Sequence, residues 1–539
     1  MMAAARETEG EGMAGLEVVV LVGVVVIAAA RLARGVRLPP PLVILVAGAV
    51  VGFVPGVGAV ELPPDVVLLL FLPALLYWES LTTSLREIRA NLRVILLLSV
   101  GLVLATAAAV AVVAHALGLD WPMAWVLGAV LAPTDATAVS ALARALPRRL
   151  RTTLKAESLI NDGTALVLYA VALGVALGEG SPSGLEVVGR FAGSYAGGLA
   201  IGLAAAVLAL VARRLVRDDA DVRLENAVSL LTPFVAYLPA ELLDVSGVVA
   251  VVTCGLVLSQ AGPSRISPAT RLQAVSFWQL TSFLLNGALF ALIGLQLAPL
   301  VEGLSTANLM DGLRDGVLIA VVVTATRLTW MTTVAYLIRA VDRRPAQRQR
   351  RVGFRGRMVT GWAGFRGAVS LAAALAIPVT GEDGTSVADR DVVLLVTFVV
   401  IALVLLVQSP TMPALLRWAR LPADTAEADE ERTAQRAMDE AALQAVDARG
   451  AELGVDGAVV ERVREDYRAR LRSLDDDSPE HVDGAAEARL RAALLQDKRA
   501  ALIALRDAGT IDDIVLRRVQ GGLDVAEVRI TGTGSLSDE

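Results

Sequence analysis

The chain has 539 residues, 55% of them hydrophobic and 19% charged, and its mean hydropathy is +0.61. That hydropathy excludes an ordinary soluble domain. The formal net charge of -6 says little, because the apolar bulk and the polar C-terminal end contribute differently. Cys254 is the single cysteine, so a disulfide within the chain is excluded, and His115 and His481 are too few and too far apart for a metal site.

In chain order, residues 1–14 form a short N-terminal stretch without a basic n-region or a cleavage-site pattern. The first apolar segment is therefore expected to be a retained helix and not a signal peptide. Apolar runs of membrane-crossing length then recur. They predict thirteen segments, at about 15–31, 38–55, 65–81, 94–117, 121–144, 153–178, 184–212, 224–242, 245–261, 275–300, 315–338, 358–379 and 391–417. Basic residues cluster in every second connection. Examples are Arg31, Arg34 and Arg37; Arg86, Arg89 and Arg93; Arg148, Arg149, Arg151 and Lys155; and Arg213, Arg214 and Arg217. The connection after the eleventh segment adds Arg343, Arg344, Arg348, Arg350 and Arg351. The positive-inside rule then sets the N-terminus outside and the C-terminal end in the cytoplasm. The expected architecture is an all-α polytopic membrane protein over 15–417, with a helical cytoplasmic domain over 418–539.

Ionisable groups at mid-membrane are expensive and by default mark a site. The fifth segment contains Pro133-Thr134-Asp135, in which Pro133 breaks the helix and the next two residues put oxygens at the break. In the sixth, Glu157, Ser158, Asn161 and Asp162 fall on one face at helical spacing. Counted from the basic loop near Arg148, Asp135 and Asp162 both lie roughly 15–19 Å deep. Arg327 and Arg366 reach a similar level. Asp135, Asp162, Thr134 and Ser158 at a helix break make a hard-oxygen site for a cation, and neighbouring carboxylates let protons compete with it. Arg366, between Gly364 and Gly367, is expected to satisfy carbonyls freed where a glycine-rich helix loosens.

An ordered set of motifs then resembles the sodium/proton exchanger family, in its electroneutral cation:proton antiporter branch. They are Leu72-Pro73-Ala74-Leu75-Leu76-Tyr77, Ala132-Pro133-Thr134-Asp135, Glu157 to Gly163, Phe277-Trp278 with Phe283 to Asn286, and Gly361 to Ser370. The resemblance implies a homodimer, two inverted repeats with discontinuous helices, and a core that moves like an elevator. It implies that Asp162 binds the cation or a proton in turn, with Thr134, Asp135 and Ser158 as further ligands. Asn161 stands where the electrogenic branch has a second Asp. Glu157 is implied to pair with Arg327, and Arg366 to support the other loosened helix. The family often has an acidic residue directly after the Leu-Leu-aromatic run, but here Trp78 intervenes before Glu79, which is left out of the expected site.

The expected activity is exchange of a monovalent cation, Na+ before K+ or Li+, for H+ at the cell membrane. No cofactor, enzymatic activity or nucleic-acid partner is expected, and the surrounding partner is membrane lipid. A respiratory proton-pump subunit would need buried lysines, and Lys155 is the one lysine of the membrane domain. An ion-sensing receptor lacks any signalling motif, and a channel lacks a filter. The polar C-terminal domain carries helical patterns through Val459–Leu474 and Ala485–Leu505 with a break at Asp475–Ser478.

Overall fold

In the computed structural model the described residues are 2–36, 38–54, 64–135, 146–178, 180, 183–217, 222–261, 268–303, 305–341, 352–380, 387–421 and 426–475, with isolated positions between 494 and 525. The chain forms two compact units, Met1–Pro422 and Ala423–Glu539. Among the described residues of the first, the regular elements are helices: α1 (Met2–Val36), α2 (Pro40–Gly52), α3 (Pro64–Leu81), α4 (Leu85–Ala116), α5 (Trp121–Leu131), α6 (Arg148–Ala176) and α7 (Gly184–Arg217). They continue as α8 (Val222–Leu242), α9 (Gly247–Ala261), α10 (Pro268–Gly303), α11 (Thr306–Val341), α12 (Phe354–Trp362), α13 (Ala368–Leu375) and α14 (Arg390–Ala419). Seven spans among the described residues are long and apolar enough to cross a membrane, and shorter apolar helices lie between them.

Local chemistry sets many of the ends. Pro40 and Pro41 open α2, where a missing N–H costs nothing. Ser84 caps α4 by accepting the Glu87 N–H at 3.3 Å, so that helix starts at Leu85 and not at 94. Ser183 and Glu186 cap α7 reciprocally: the Ser183 N–H donates to Glu186 Oε2 at 2.9 Å and the Glu186 N–H to Ser183 Oγ at 3.3 Å. A π-helical turn at Leu97–Leu102 interrupts α4.

Two of the predicted segments are not continuous helices. The fifth stops being helical at Leu131 and runs on irregularly through 132–135; its remainder, 136–145, lies outside the described residues. The twelfth is divided into α12 and α13 by the irregular stretch 363–367. The basic connection at 342–351 also lies outside the described residues.

The helices pack most closely within two sets, α1–α3 with α7–α10, and α4–α6 with α11–α14. Contacts across the seam are sparser. Small residues bring backbones together inside each set, as polar-poor helices require when lipid supplies no hydrophobic drive. A methyl on Gly48 of α2 would overlap the Ala291 carbonyl of α10, and one on Gly52 would lie 2.7 Å from the Leu295 carbonyl. In the second unit, α15 (Ala426–Glu452) and α16 (Gly457–Asp475) pair along their sides, with Arg464 bridging Asp447. Asp475, where the predicted break Asp475–Ser478 begins, is the last residue of α16, and 476–478 lie outside the described residues.

Gly48→Val is expected to push α2 off α10 and destabilise the fold by about 1–3 kcal/mol. Gly193→Ala, where the added Cβ meets nothing within 4 Å, is expected to leave the melting temperature in detergent unchanged. Equal melting of the two variants would contradict this packing.

Candidate cation and proton site

The two irregular stretches meet. The Asp135 N–H donates to the Phe365 carbonyl at 2.8 Å, joining one break to the other. Arg366 Nε donates to the Leu131 carbonyl at 3.1 Å, at the last turn of α5, and its Nη1 donates to the Gly364 carbonyl. A buried helix end leaves carbonyls without partners, and this guanidinium, 1% exposed, supplies donors to them. Glycines make the crossing close: a side chain on Gly364 would strike the stem of Arg327, and one on Gly367 would overlap the Asp135 carboxylate. Asp135 thereby lies against the residue that precedes the first turn of α13, where free N–H groups favour negative charge.

The polar face of α6 runs past this crossing. Glu157 is 1% exposed and takes a two-pronged ion pair from Arg327 of α11, with Nη1 on Oε1 and Nη2 on Oε2 at 3.1 Å. Arg327 Nη2 also donates to the Thr360 carbonyl of α12 at 3.3 Å. Thr134 donates its hydroxyl to Glu157 Oε1 at 3.4 Å and accepts from Asn161 Nδ2 at 2.9 Å. The Asn161 Oδ1 is buried and has no partner among the described residues.

Beside this network is a cavity of about 30 Å³, lined by Glu79, Thr134, Asp135, Ser158, Asp162, Asn286 and Ser370, with Leu72, Leu75 and Leu76 among its apolar walls. A water needs about 10–15 Å³ of such space, so the cavity suits a small ion with one or two waters and no organic substrate. Its oxygens are carboxylate, hydroxyl and amide, the donors that hard cations take. Asp162 is 4% exposed and accepts no hydrogen bond from the described residues. An ionised carboxylate so placed is costly unless a proton or cation joins it.

Of the residues expected from sequence, Thr134, Asp135, Ser158 and Asp162 line this cavity, whereas Asn161, Glu157, Arg327 and Arg366 stand around it. Glu79, set aside from the expected site on sequence, lines the cavity too. Leu72, Leu75, Leu76 and Glu79 share one face of α3 at helical spacing, which groups them but does not say what that face meets. Asn286 and Ser370 lie within quoted motifs, but nothing local distinguishes them from ordinary polar residues of membrane helices.

A multi-pass helical bundle with two broken helices crossed at a carboxylate cavity defines a membrane transporter of small ions, not an enzyme. The transmembrane sodium/hydrogen exchanger model matches residues 21–418. An uncharacterised Na+/H+ exchanger of Mycobacterium tuberculosis is 44% identical over 97% of this chain and 98% of its own. The Na+/H+ antiporter ApNhaP of Aphanothece halophytica is 30% identical over 72% of this chain and 71% of its own. The fold is shared with the sodium proton antiporter MjNhaP1 of Methanocaldococcus jannaschii, at a TM-score of 0.56 and 19% identity over 75% of this chain and 98% of that one. This chain belongs to the sodium/hydrogen exchanger family.

Removing one member of the Glu157–Arg327 pair strands a buried charge, at a cost of about 3–5 kcal/mol. Glu157→Gln and Arg327→Gln are each expected to melt lower than Asp162→Asn in detergent, and the double variant is expected to lose less than the sum. Strictly additive losses would mean that the pair does not couple.

Proposed function

We propose that the chain exchanges one monovalent cation, Na+ before K+ or Li+, for one H+ across the cell membrane. The carrying observation is Asp162: buried, on an ion-sized cavity, and without a hydrogen-bond donor among the described residues. A proton or a cation satisfies it, and the two exclude each other there. Asp135, Thr134 and Ser158 are its co-ligands, and Glu79 adds a carboxylate to the same cavity. Glu157, Arg327, Asn161 and Arg366 hold the site without carrying charge across.

The seam supports alternating access. The cavity is lined by α3 and α10 from one set of helices and by the irregular stretch after α5, α6 and the start of α13 from the other. Sliding α4–α6 and α11–α14 as a body against the remaining helices would expose Asp162 first to one side and then to the other. This is the elevator mode, with the sparser packing at the seam as the sliding surface. The chain acts as a homodimer of thirteen-crossing protomers in two inverted repeats. Its N-terminus is outside, and its C-terminal domain is cytoplasmic and modulates transport.

Asp162→Asn is expected to abolish Na+-driven proton movement in vesicles of the purified protein while the variant stays folded. Na+ is expected to dissipate an imposed pH gradient at lower concentration than K+. Substantial exchange by the variant would sink the assignment of Asp162.

One-for-one exchange rests on Asn161, which offers no second titrating carboxylate beside Asp162, and on Glu79 and Asp135 keeping the same charge in both half-cycles. A membrane potential is worth about 2.3 kcal/mol per charge per 100 mV. With a potassium–valinomycin potential of zero and then about -100 mV, the steady pH gradient is expected not to change. A gradient that follows the voltage would show that a further group titrates.

A further inference from the structure

The chain's 49 basic residues include only two lysines, Lys155 and Lys498. Lys155 stands on α6, two turns from Asp162 toward the Arg148 end, a rise of about 10 Å. Its Nζ donates to Thr82 Oγ1 at 2.8 Å, across the seam between α6 and α3. Thr82 ends the turn that carries Glu79, and its hydroxyl lies 3.1 Å from the Trp78 carbonyl and 3.2 Å from that of Glu79. The ammonium interacts electrostatically with Glu79, which in turn interacts with Asp135 and Asp162. Glu87, the neighbouring carboxylate of α4, is held by Arg148 at 2.6 Å. Lys155 thus borders the cavity without lining it.

We propose that Lys155 is an affinity-setting residue: a cation tethered at the Thr82 turn, whose charge weakens the hold of the Glu79–Asp135–Asp162 cavity on its transported ion. The inference rests on the exchange reading given above. Three carboxylates around one small cavity attract a monovalent cation strongly, and a carrier that binds too tightly does not release. A fixed positive charge two helical turns away lowers that attraction while leaving every ligand in place. It acts equally on Na+ and on H+, so its effect on Na+ is read at alkaline pH, where protons compete least.

The test uses the full chain in proteoliposomes, with Na+ titrated at alkaline pH on both sides. Lys155→Gln keeps a donor for Thr82 and removes the charge; Lys155→Arg keeps the charge. The Gln variant is expected to lower the KM for Na+ about threefold to tenfold at unchanged melting temperature, and the Arg variant to stay within about twofold of the parent. Lys155→Met removes the same charge and replaces the Gln variant if that one does not purify. An unchanged KM in the charge-removed variant would overturn the proposal and leave Lys155 a cap on α3. A raised KM with a lowered melting temperature would overturn it as well, as a purely structural link. If the unmodified protein exchanges no cation for protons, the exchange reading itself fails, and that is known before any variant is read.

Discussion

Hydrocarbon offers no partner for a free N–H or C=O, so a broken membrane helix survives only where protein satisfies its backbone. Here two breaks satisfy each other. The Asp135 N–H finds the Phe365 carbonyl, and Arg366 reaches from one break to the last turn of the other helix. The rest of the site follows from this crossing. It fixes Thr134 and Asp135 beside α6, and it needs glycine at 364 and 367 because no side chain fits there.

The buried charges divide into two kinds. Glu157 and Arg327 neutralise each other with hydrogen bonds on both prongs, and Arg366 is engaged by carbonyls. These groups are fixed. Glu79, Asp135 and Asp162 instead face a common cavity, while Arg327 pairs with Glu157 and Arg366 donates to carbonyls. A bound arginine would hold a carboxylate ionised permanently and end its use as an exchanger. The geometry keeps Arg327 and Arg366 occupied elsewhere, and Asp162 stays on the cavity wall.

The cavity's position matters as much as its chemistry. Its walls come from both sets of helices, and each set packs more closely within itself than across the seam. The Lys155–Thr82 bond also spans the seam, and puts a compact positive charge where the two sets meet. Close glycine and alanine packing such as Gly48 on Ala291 keeps each set internally rigid.

Hydropathy and the alternation of arginine-rich connections specify membrane-crossing helices, because each depends on a single segment and its flanks. Pro133 announces a break, and the spacing of Glu157, Ser158, Asn161 and Asp162 announces one polar face, since both are local properties of a helix. Which polar residues share a cavity is not local. Glu79 sits on an apolar face that reads as lipid-facing or buried alike, and only the packing of α3 against α6 and α13 brings it to the cavity that Asp162 lines. Arg366 illustrates the same limit: its sequence neighbours imply loosened carbonyls, but the Leu131 carbonyl it serves lies 235 residues away. Sequence determined the helices, their breaks and the charges they carry. Tertiary structure decided which charges cancel and which face the cavity, because that choice depends on distances between segments remote in the chain.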